Sequence, residues 1–394
     1  MNIKQKHGYS TICVHAGAET DPAWDSVATP IYQTTTYKVP DIPSLIPRHI
    51  EKKGYTYSSS GNPTQRAAEQ KIAALENSQD AAVFSAGMAA ITASINSQVN
   101  AGDEIIAQRD LYGDTYSFLK NLENTRHIKT RFYDTENTET IEEHINEKTK
   151  LIYLETPTNP LLKLVDLQKA TNIAQKHGIT TILDNTFASP MNQRALEQGV
   201  DIVVQSATKS LSGHHHVICG AAAGSTEHIK LMKRSRIIYG QVLDPFGAFL
   251  LITGMQTYSL RMQTMNKNAK ALAKLLQDSP KIKKVYYPGL ATHPQHNLAS
   301  KQMKDYGSIL SFETEGDMET LTELFKGFEL VKLATSLGGV DTIATIPSIT
   351  IFGNMPKEEQ KEIGINPGLV RISVGIEDYS DLEEDFKTAL SRIP

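Results

Sequence analysis

Residues 201–220 read DIVVQSATKSLSGHHHVICG. An apolar run, Ile202-Val203-Val204, gives way at Ser206-Ala207-Thr208 to small residues and then to a lysine, Lys209. Apolar residues without polar alternation are what a strand buried on both faces requires. The pattern recurs at ITTILD (179–184), which ends on Asp184 and is followed by Asn185. An amine and an acid at the ends of neighbouring buried strands would face one ligand, since ligands in such sheets sit beyond the strands' carboxyl ends. Taken alone, the two charges are also compatible with a buried ion pair or with two surface loops.

Working outward, short apolar runs alternate with helical patterns. AAVFS (81–85), DEIIAQ (103–108), IKTRFYD (128–134) and KLIYLE (150–155) read as strands. GMAAITASINSQVN (87–100) and LQKATNIAQKHG (167–178) read as helices, the second closing on Gly178. Another helix is expected from Asn62-Pro63, with Asn as N-cap and Pro at the first helical position. The alternation predicts an α/β fold, a mostly parallel sheet covered by helices on both faces. Before it, residues 1–60 read as an arm, rich in Pro and Thr through DPAWDSVATPIYQTTTYKVPDIPSLIP. A large domain is expected over 61–255. After that come a long helix over 253–277, strands at KVYYPG, SILSFET and LVRISVG, and a helix at METLTELFKGF. This order predicts a smaller C-terminal α+β domain over 256–394.

Composition sets the class. With 394 residues, 40% hydrophobic and 21% charged, the chain is that of a globular protein too long for one ordinary core. A net charge of −4 gives no sign of a nucleic-acid or acidic-membrane surface. No segment reaches the ~18 apolar residues of a membrane span, and MNIKQKHGYSTICVHAG lacks the apolar core of a secretory signal. The two cysteines, Cys13 and Cys219, are far apart and suggest no disulfide framework. A reducing, cytoplasmic compartment is the expectation.

The start of the 87–100 helix adds a third chemical element. SAGMAA (85–90) places small residues where a strand turns into a helix, so that free backbone N–H groups can approach an anion. On its own such a start also serves tight packing. Together the three elements offer a phosphate cradle, a carboxylate and an amine. Those are the requirements of pyridoxal phosphate: an anchor for the phosphate, an acid that keeps the ring nitrogen protonated, and a lysine that bonds to the aldehyde.

TPIYQTTTY, GYTYSSSGNPT, FSAGMAA, RDLYGDT, LETPTNP, LDNTFASP, SATKSLSGH, YPGLATHPQH, SLGG and GLVRISVGIED follow one another from Thr29 to Asp378. In these stretches the chain resembles the Cys/Met-metabolism family of pyridoxal-phosphate enzymes, which includes cystathionine γ-lyase, methionine γ-lyase, cystathionine γ-synthase and the O-acylhomoserine sulfhydrylases. The resemblance implies the large domain of a fold type I transferase-like enzyme, pyridoxal 5'-phosphate as cofactor, and an amino-acid substrate. It also implies a homo-oligomer, a dimer of dimers, with the arm reaching the neighbouring subunit. Position by position, it implies that Lys209 is the lysine bonded to the cofactor and Asp184 the partner of the ring nitrogen. Gly87 and Met88 would give backbone amides to the phosphate, assisted by Ser206 and Thr208. Tyr112 would stack on the ring and aid proton transfer, and Tyr57 would reach the phosphate of the adjoining subunit. Glu155 and Asn159 would line the cofactor site. Ser336 and Arg371 would hold the substrate carboxylate, with Asn159 and Tyr57 beside the substrate.

Three departures from the family pattern matter. Ser59 stands where relatives carry an arginine that clamps the cofactor phosphate across the dimer interface. A lost charged contact of that kind costs about 1.5–3 kcal/mol, so a weaker grip is expected. His214, His215 and His216 replace the usual GHSD or GHGD, with His216 in the place of an acid. His214 and His216 would share one face with Cys219 nearby, but no ligand-spacing motif completes a metal site, so the run reads as a substituted support loop. Asp114, Ser117, Thr335 and residues 347–352 differ from positions that help relatives to choose substrate.

Three readings follow. The first is a C–S lyase acting on a sulfur amino acid of the methionine, cystathionine or homocysteine class. The second is a γ-replacement enzyme acting on an activated homoserine ester. The third is a scaffold with weakened cofactor binding, which Ser59 favours and intact Lys209, Asp184, Tyr112 and Arg371 oppose.

Overall fold

The computed structural model describes residues 7–18, 24–51, 53–353 and 355–394. Its larger sheet holds β1 (Asp80–Phe84), β2 (Glu104–Gln108), β3 (Lys129–Tyr133), β4 (Thr149–Glu155), β5 (Thr180–Asp184), β6 (Ile202–Gln205) and β7 (Gly220–Gly224). They lie in the order β1-β7-β6-β5-β4-β2-β3. β2 to β6 pair parallel, and β7 runs against both of its neighbours. The carboxyl ends of β1 and of β2 to β6 therefore meet at one edge of the sheet.

Both faces of that sheet are covered, which is why its strands read as continuous apolar runs. Ile182, Ile202 and Val204 pack on one side with Ile91 and Ile95 of the helix Gly87–Gln98. Leu183 and Val203 pack on the other with Ile173 and Ala174 of the helix Leu167–His177. Side chains alternate across a strand, so each strand contributes to two cores. The helix Pro63–Leu75 begins as expected: the Asn62 side chain accepts from the Thr64 N–H at 2.9 Å, and Pro63 occupies the first turn.

Among the differences from the sequence reading are an unforeseen strand and a divided helix. β7 has the sequence GAAAG, which carries no strand signature. Its small residues suit a close approach, since a Cβ on Gly220 would fall 2.1 Å from the Ala86 carbonyl oxygen. The helix expected over 253–277 is two, Pro245–Gln256 and Tyr258–Gln277, parted at Thr257. The Gly254 carbonyl near that break accepts from Arg261 Nη2 at 2.6 Å.

The second sheet holds β8 (Ile282–Tyr286), β9 (Ile309–Thr314), β10 (Lys332–Leu333), β11 (Ile343–Thr345) and β12 (Leu369–Ser373), in the order β10-β11-β12-β9-β8. A separate core of Leu272, Phe312, Leu324, Ile372 and Phe386 lies beneath it. At the amino end, the helix Tyr9–His15 buries Ile12 and Cys13 in the core of the larger sheet. Lys71 Nζ donates to the Cys13 and Val14 carbonyls at 2.6 and 3.1 Å, meeting that helix's carboxyl end. Residues 24–50 instead expose Trp24, Val27, Ile42, Ile46 and Ile50. Among the described residues no helix is long and apolar enough to cross a membrane.

Candidate active site

The site is assembled from strand ends. Glu155 and Asp184 close β4 and β5 as register partners. Asp184 Oδ1 accepts from the Thr186 amide at 3.0 Å and from the Thr186 hydroxyl, whose oxygen accepts the Ser206 N–H at 2.9 Å. Thr186 thus ties the end of β5 to the start of the lysine loop. The sequence reading missed it, although a hydroxyl two residues after a strand-end acid is a known local bonding pattern.

Burial lifts both carboxyls above their usual range, and Glu155 is lifted further by Asp184 beside it. Glu155 Oε2 accepts the Tyr112 N–H at 2.8 Å, which fixes the start of the helix Gly113–Arg126. The Tyr112 hydroxyl donates to Asp114 Oδ2 at 2.8 Å.

Lys209 Nζ donates to Ser336 Oγ at 2.8 Å. Burial, with a smaller effect from Arg371, lowers its pKa to about 8. Ser336 adopts a left-handed φ of 81°, an uncommon conformation for a residue with a side chain. Its neighbour Gly338 must be glycine, because its φ is +76° and a Cβ would lie 2.6 Å from the Ser210 nitrogen. Arg371, on β12, donates from Nη1 to Asn159 Oδ1 at 3.0 Å and from Nη2 to the Ser336 carbonyl at 2.6 Å. Its Nε is buried with no hydrogen-bond partner among the described residues, and burial lowers its pKa to about 10.

Of the residues expected to cradle a phosphate, Gly87 and Ser206 approach each other. A Cβ on Gly87 would fall 2.8 Å from Ser206 Oγ, and no side chain caps the helix that starts at Gly87-Met88. Thr208 is held to Cys219 by its amide and hydroxyl. Lys209, Asp184, Glu155, Tyr112, Asn159, Ser336, Arg371, Gly87 and Ser206 therefore form one linked set of contacts. Tyr57 stands apart: it bridges to Thr36 within the extended segment and is half exposed. Cys219 is buried, and among the described residues no three His, Cys, Asp or Glu side chains gather as a metal site.

None of Glu155, Asp184, Lys209 and Arg371 has an ion-pair partner among the described residues, so the site holds two acids without a cation and two cations without an anion. Burying unpaired charge is costly unless a ligand completes the pairs. A cationic ring nitrogen for Asp184, an aldehyde for Lys209 and a phosphate for the uncapped helix start are what pyridoxal phosphate brings, and the residues fit it. The fold and this donor set define a pyridoxal-phosphate enzyme.

The family described as Cys/Met metabolism PLP-dependent enzyme matches residues 10–391. The chain belongs to that family. It is 38% identical over 397 residues to a cystathionine beta-lyase of Coxiella burnetii, covering 99% of each chain. It is 39% identical over 396 residues to an L-methionine gamma-lyase of Fusobacterium nucleatum subsp. polymorphum, again covering 99% of each. The crystal structure of cystathionine gamma synthase from Xanthomonas oryzae pv. oryzae superposes with a TM-score of 0.93 at 34% identity, covering 98% of each chain. The protein is thus a PLP-dependent enzyme of sulfur amino-acid metabolism.

Proposed function

We propose that the protein is a carbon–sulfur lyase that cleaves a methionine-, cystathionine- or homocysteine-class amino acid by γ- or β-elimination, to a thiol, ammonia and a 2-oxo acid. The observation that carries this reading is Arg371, a buried guanidinium with an unused Nε and no carboxylate, linked through Ser336 to Lys209. An amino acid's α-carboxylate supplies the missing anion, and binding there sets its α-amino group toward Lys209.

When bound, pyridoxal phosphate supplies an electron sink for charge developing at the substrate's α-carbon. Gly87, Met88, Ser206 and Thr208 would hold its phosphate, Asp184 its ring nitrogen, and Lys209 Nζ its aldehyde. The free Lys209 amine, its pKa lowered to about 8, can release and accept a proton at Nζ near neutral pH. Ser336 orients that amine and Asn159 orients Arg371. Tyr112 would face the ring, its hydroxyl held by Asp114, and Glu155 fixes Tyr112 through its backbone.

Tyr57 reaches the site of a second copy in this reading, with residues 1–60 as the exchanged arm, 61–255 as the cofactor domain and 256–394 as the small domain. Exposed Trp24, Val27 and Ile42 support a partner over the arm. We assign a homotetramer built from two such dimers, working in the cytoplasm. A γ-replacement reaction is the second reading, favoured by the likeness to the Xanthomonas synthase.

The test offers the purified protein L-methionine, L-cystathionine, L-homocysteine, and O-acetylhomoserine with sulfide. Release of thiol, ammonia and 2-oxo acid from a single sulfur amino acid supports the lyase. Product from the ester and sulfide alone assigns the replacement reaction.

A further inference from the structure

The histidine run has no role in the reaction proposed above, yet it borders the same site. A cavity of about 530 Å³ opens between residues 215–218 and the segment after β10, and Thr208, His215, His216, Lys332, Thr335 and Ser336 line it together with Asp341. One of its lining residues, Ser336, also accepts from Lys209 Nζ at 2.8 Å.

The loop that presents the histidines is fixed at both ends and from below. Thr208 N–H donates to the Cys219 carbonyl at 3.0 Å, and Cys219 N–H returns to Thr208 Oγ1 at 2.9 Å. Gly213 turns left-handed at φ +68° over Arg261, where a Cβ would fall 1.8 Å from Nη1. That guanidinium donates to the Ser210 carbonyl at 2.7 Å and the Leu211 carbonyl at 3.3 Å.

The three imidazoles are not equivalent. His214 Nδ1 lies 2.6 Å from the Ser212 carbonyl, so it donates there. His215 covers Gly339 and lies 3.5 Å from Asp341, whose other oxygen receives Lys332. His216 is exposed, has no hydrogen-bond or ion-pair partner among the described residues, and meets the His214 ring at 5.4 Å between centroids. One imidazole is therefore left to serve the cavity it shares with Thr208.

We propose that His216 is a phosphate-binding residue, donating its ring N–H across this cavity to the cofactor phosphate that Thr208 also meets. The inference rests on the assignment of Thr208 and Lys209 above. An imidazole offers an N–H whether neutral or charged, whereas the acid usual at this place in relatives offers only repulsion to a phosphate. The exchange of acid for imidazole offsets the cation that Ser59 does not provide.

Apo protein is titrated with pyridoxal phosphate and, separately, with pyridoxal, following the visible band. The ratio of the two dissociation constants isolates the phosphate contribution, and a general folding defect weakens both aldehydes alike. His216→Ala is expected to shrink the ratio about tenfold, the size of one charge-assisted hydrogen bond, and His216→Asp to shrink it further. His214→Ala leaves it unchanged. Adding Ser59→Arg to His216→Ala restores it. If both aldehydes still bind and the ratio is the same in His216→Ala and His216→Asp as in the wild type, His216 does not touch the phosphate and the proposal falls alone. A wild-type protein that forms no band with pyridoxal phosphate removes the site assignment and this proposal with it.

Discussion

Tyr112 gives its phenolic proton to Asp114 Oδ2 across 2.8 Å at the amino end of one helix. Partial burial first, and this carboxylate second, lift the phenol's pKa to about 12. A phenol that weak stays protonated through the neutral range, so Tyr112 acts as a hydrogen-bond donor in this chain. Asp114→Asn keeps the shape and removes the charge. The expected outcome is a Tyr112 phenol that titrates at lower pH, read as phenolate absorbance against a Tyr112→Phe background. The alkaline limb of kcat/KM moves the same way. If neither shifts, Asp114 does not govern the phenol.

Lys209 is depressed to about 8 by burial and, to a lesser degree, by Arg371. Only the uncharged amine adds to an aldehyde. Capture of pyridoxal phosphate by apo protein should therefore speed up with pH and level off above about 8, as seen in the growth of the visible band. Arg371→Leu removes the second cause and moves the midpoint upward, while Lys209→Ala forms no covalent band at any pH. A capture rate that keeps climbing toward the ordinary lysine range would contradict the depressed amine.

Arg371 is 5% exposed and already gives Nη1 and Nη2 to Asn159 and Ser336. A lysine cannot reproduce that fork. Arg371→Lys should raise KM for the sulfur amino acid about 10- to 100-fold, equivalent to 1.4–2.8 kcal/mol, and leave the cofactor band in place. Loss of the band together with KM would instead mark Arg371 as a residue that holds the small sheet against the site.

Tyr57 makes no hydrogen bond to the Lys209 set within its own chain, so the two can be separated by mixing. Chains carrying Tyr57→Ala are combined with chains carrying Lys209→Ala, each nearly inactive alone. A hybrid dimer then owns one complete site, and random reassortment returns about a quarter of the wild-type activity. Activity that stays at the level of the parents would mean that Tyr57 works within its own subunit.

How far the sequence could be read follows from what each element needed. β5 and β6 were legible because both their faces are buried, which turns a strand into an apolar run that ends at Asp184 or before Lys209. β7 was not, since GAAAG exists for a close approach to Ala86 and has no side chains to pattern. The break at Thr257 escaped because both flanking segments keep helical spacing, and the bond from Arg261 to Gly254 depends on the fold. Arg371 and Asn159 lie 212 positions apart. Resemblance named both, but nothing local in either segment announces that they touch.

Glu76 caps the helix Pro63–Leu75 from within the core and is 1% exposed. Its Oε1 receives the Gln205 side-chain amide, and its Oε2 has no partner among the described residues. Burial lifts its pKa from 4.5 to about 8, against the opposing effect of the Gln205 bond. Between those two values the folded protein keeps a proton that the unfolded chain has released. The associated stability is therefore fully present below the ordinary glutamate range and is lost as pH rises through about 8. Glu76→Gln keeps an acceptor for Gln205 and removes the titration. Melting temperatures taken across this window should fall with pH in the wild type and fall less in Glu76→Gln, with the gap widening toward the alkaline end. Two parallel curves would mean that Glu76 is already ionised in the folded protein, with Arg194 compensating it.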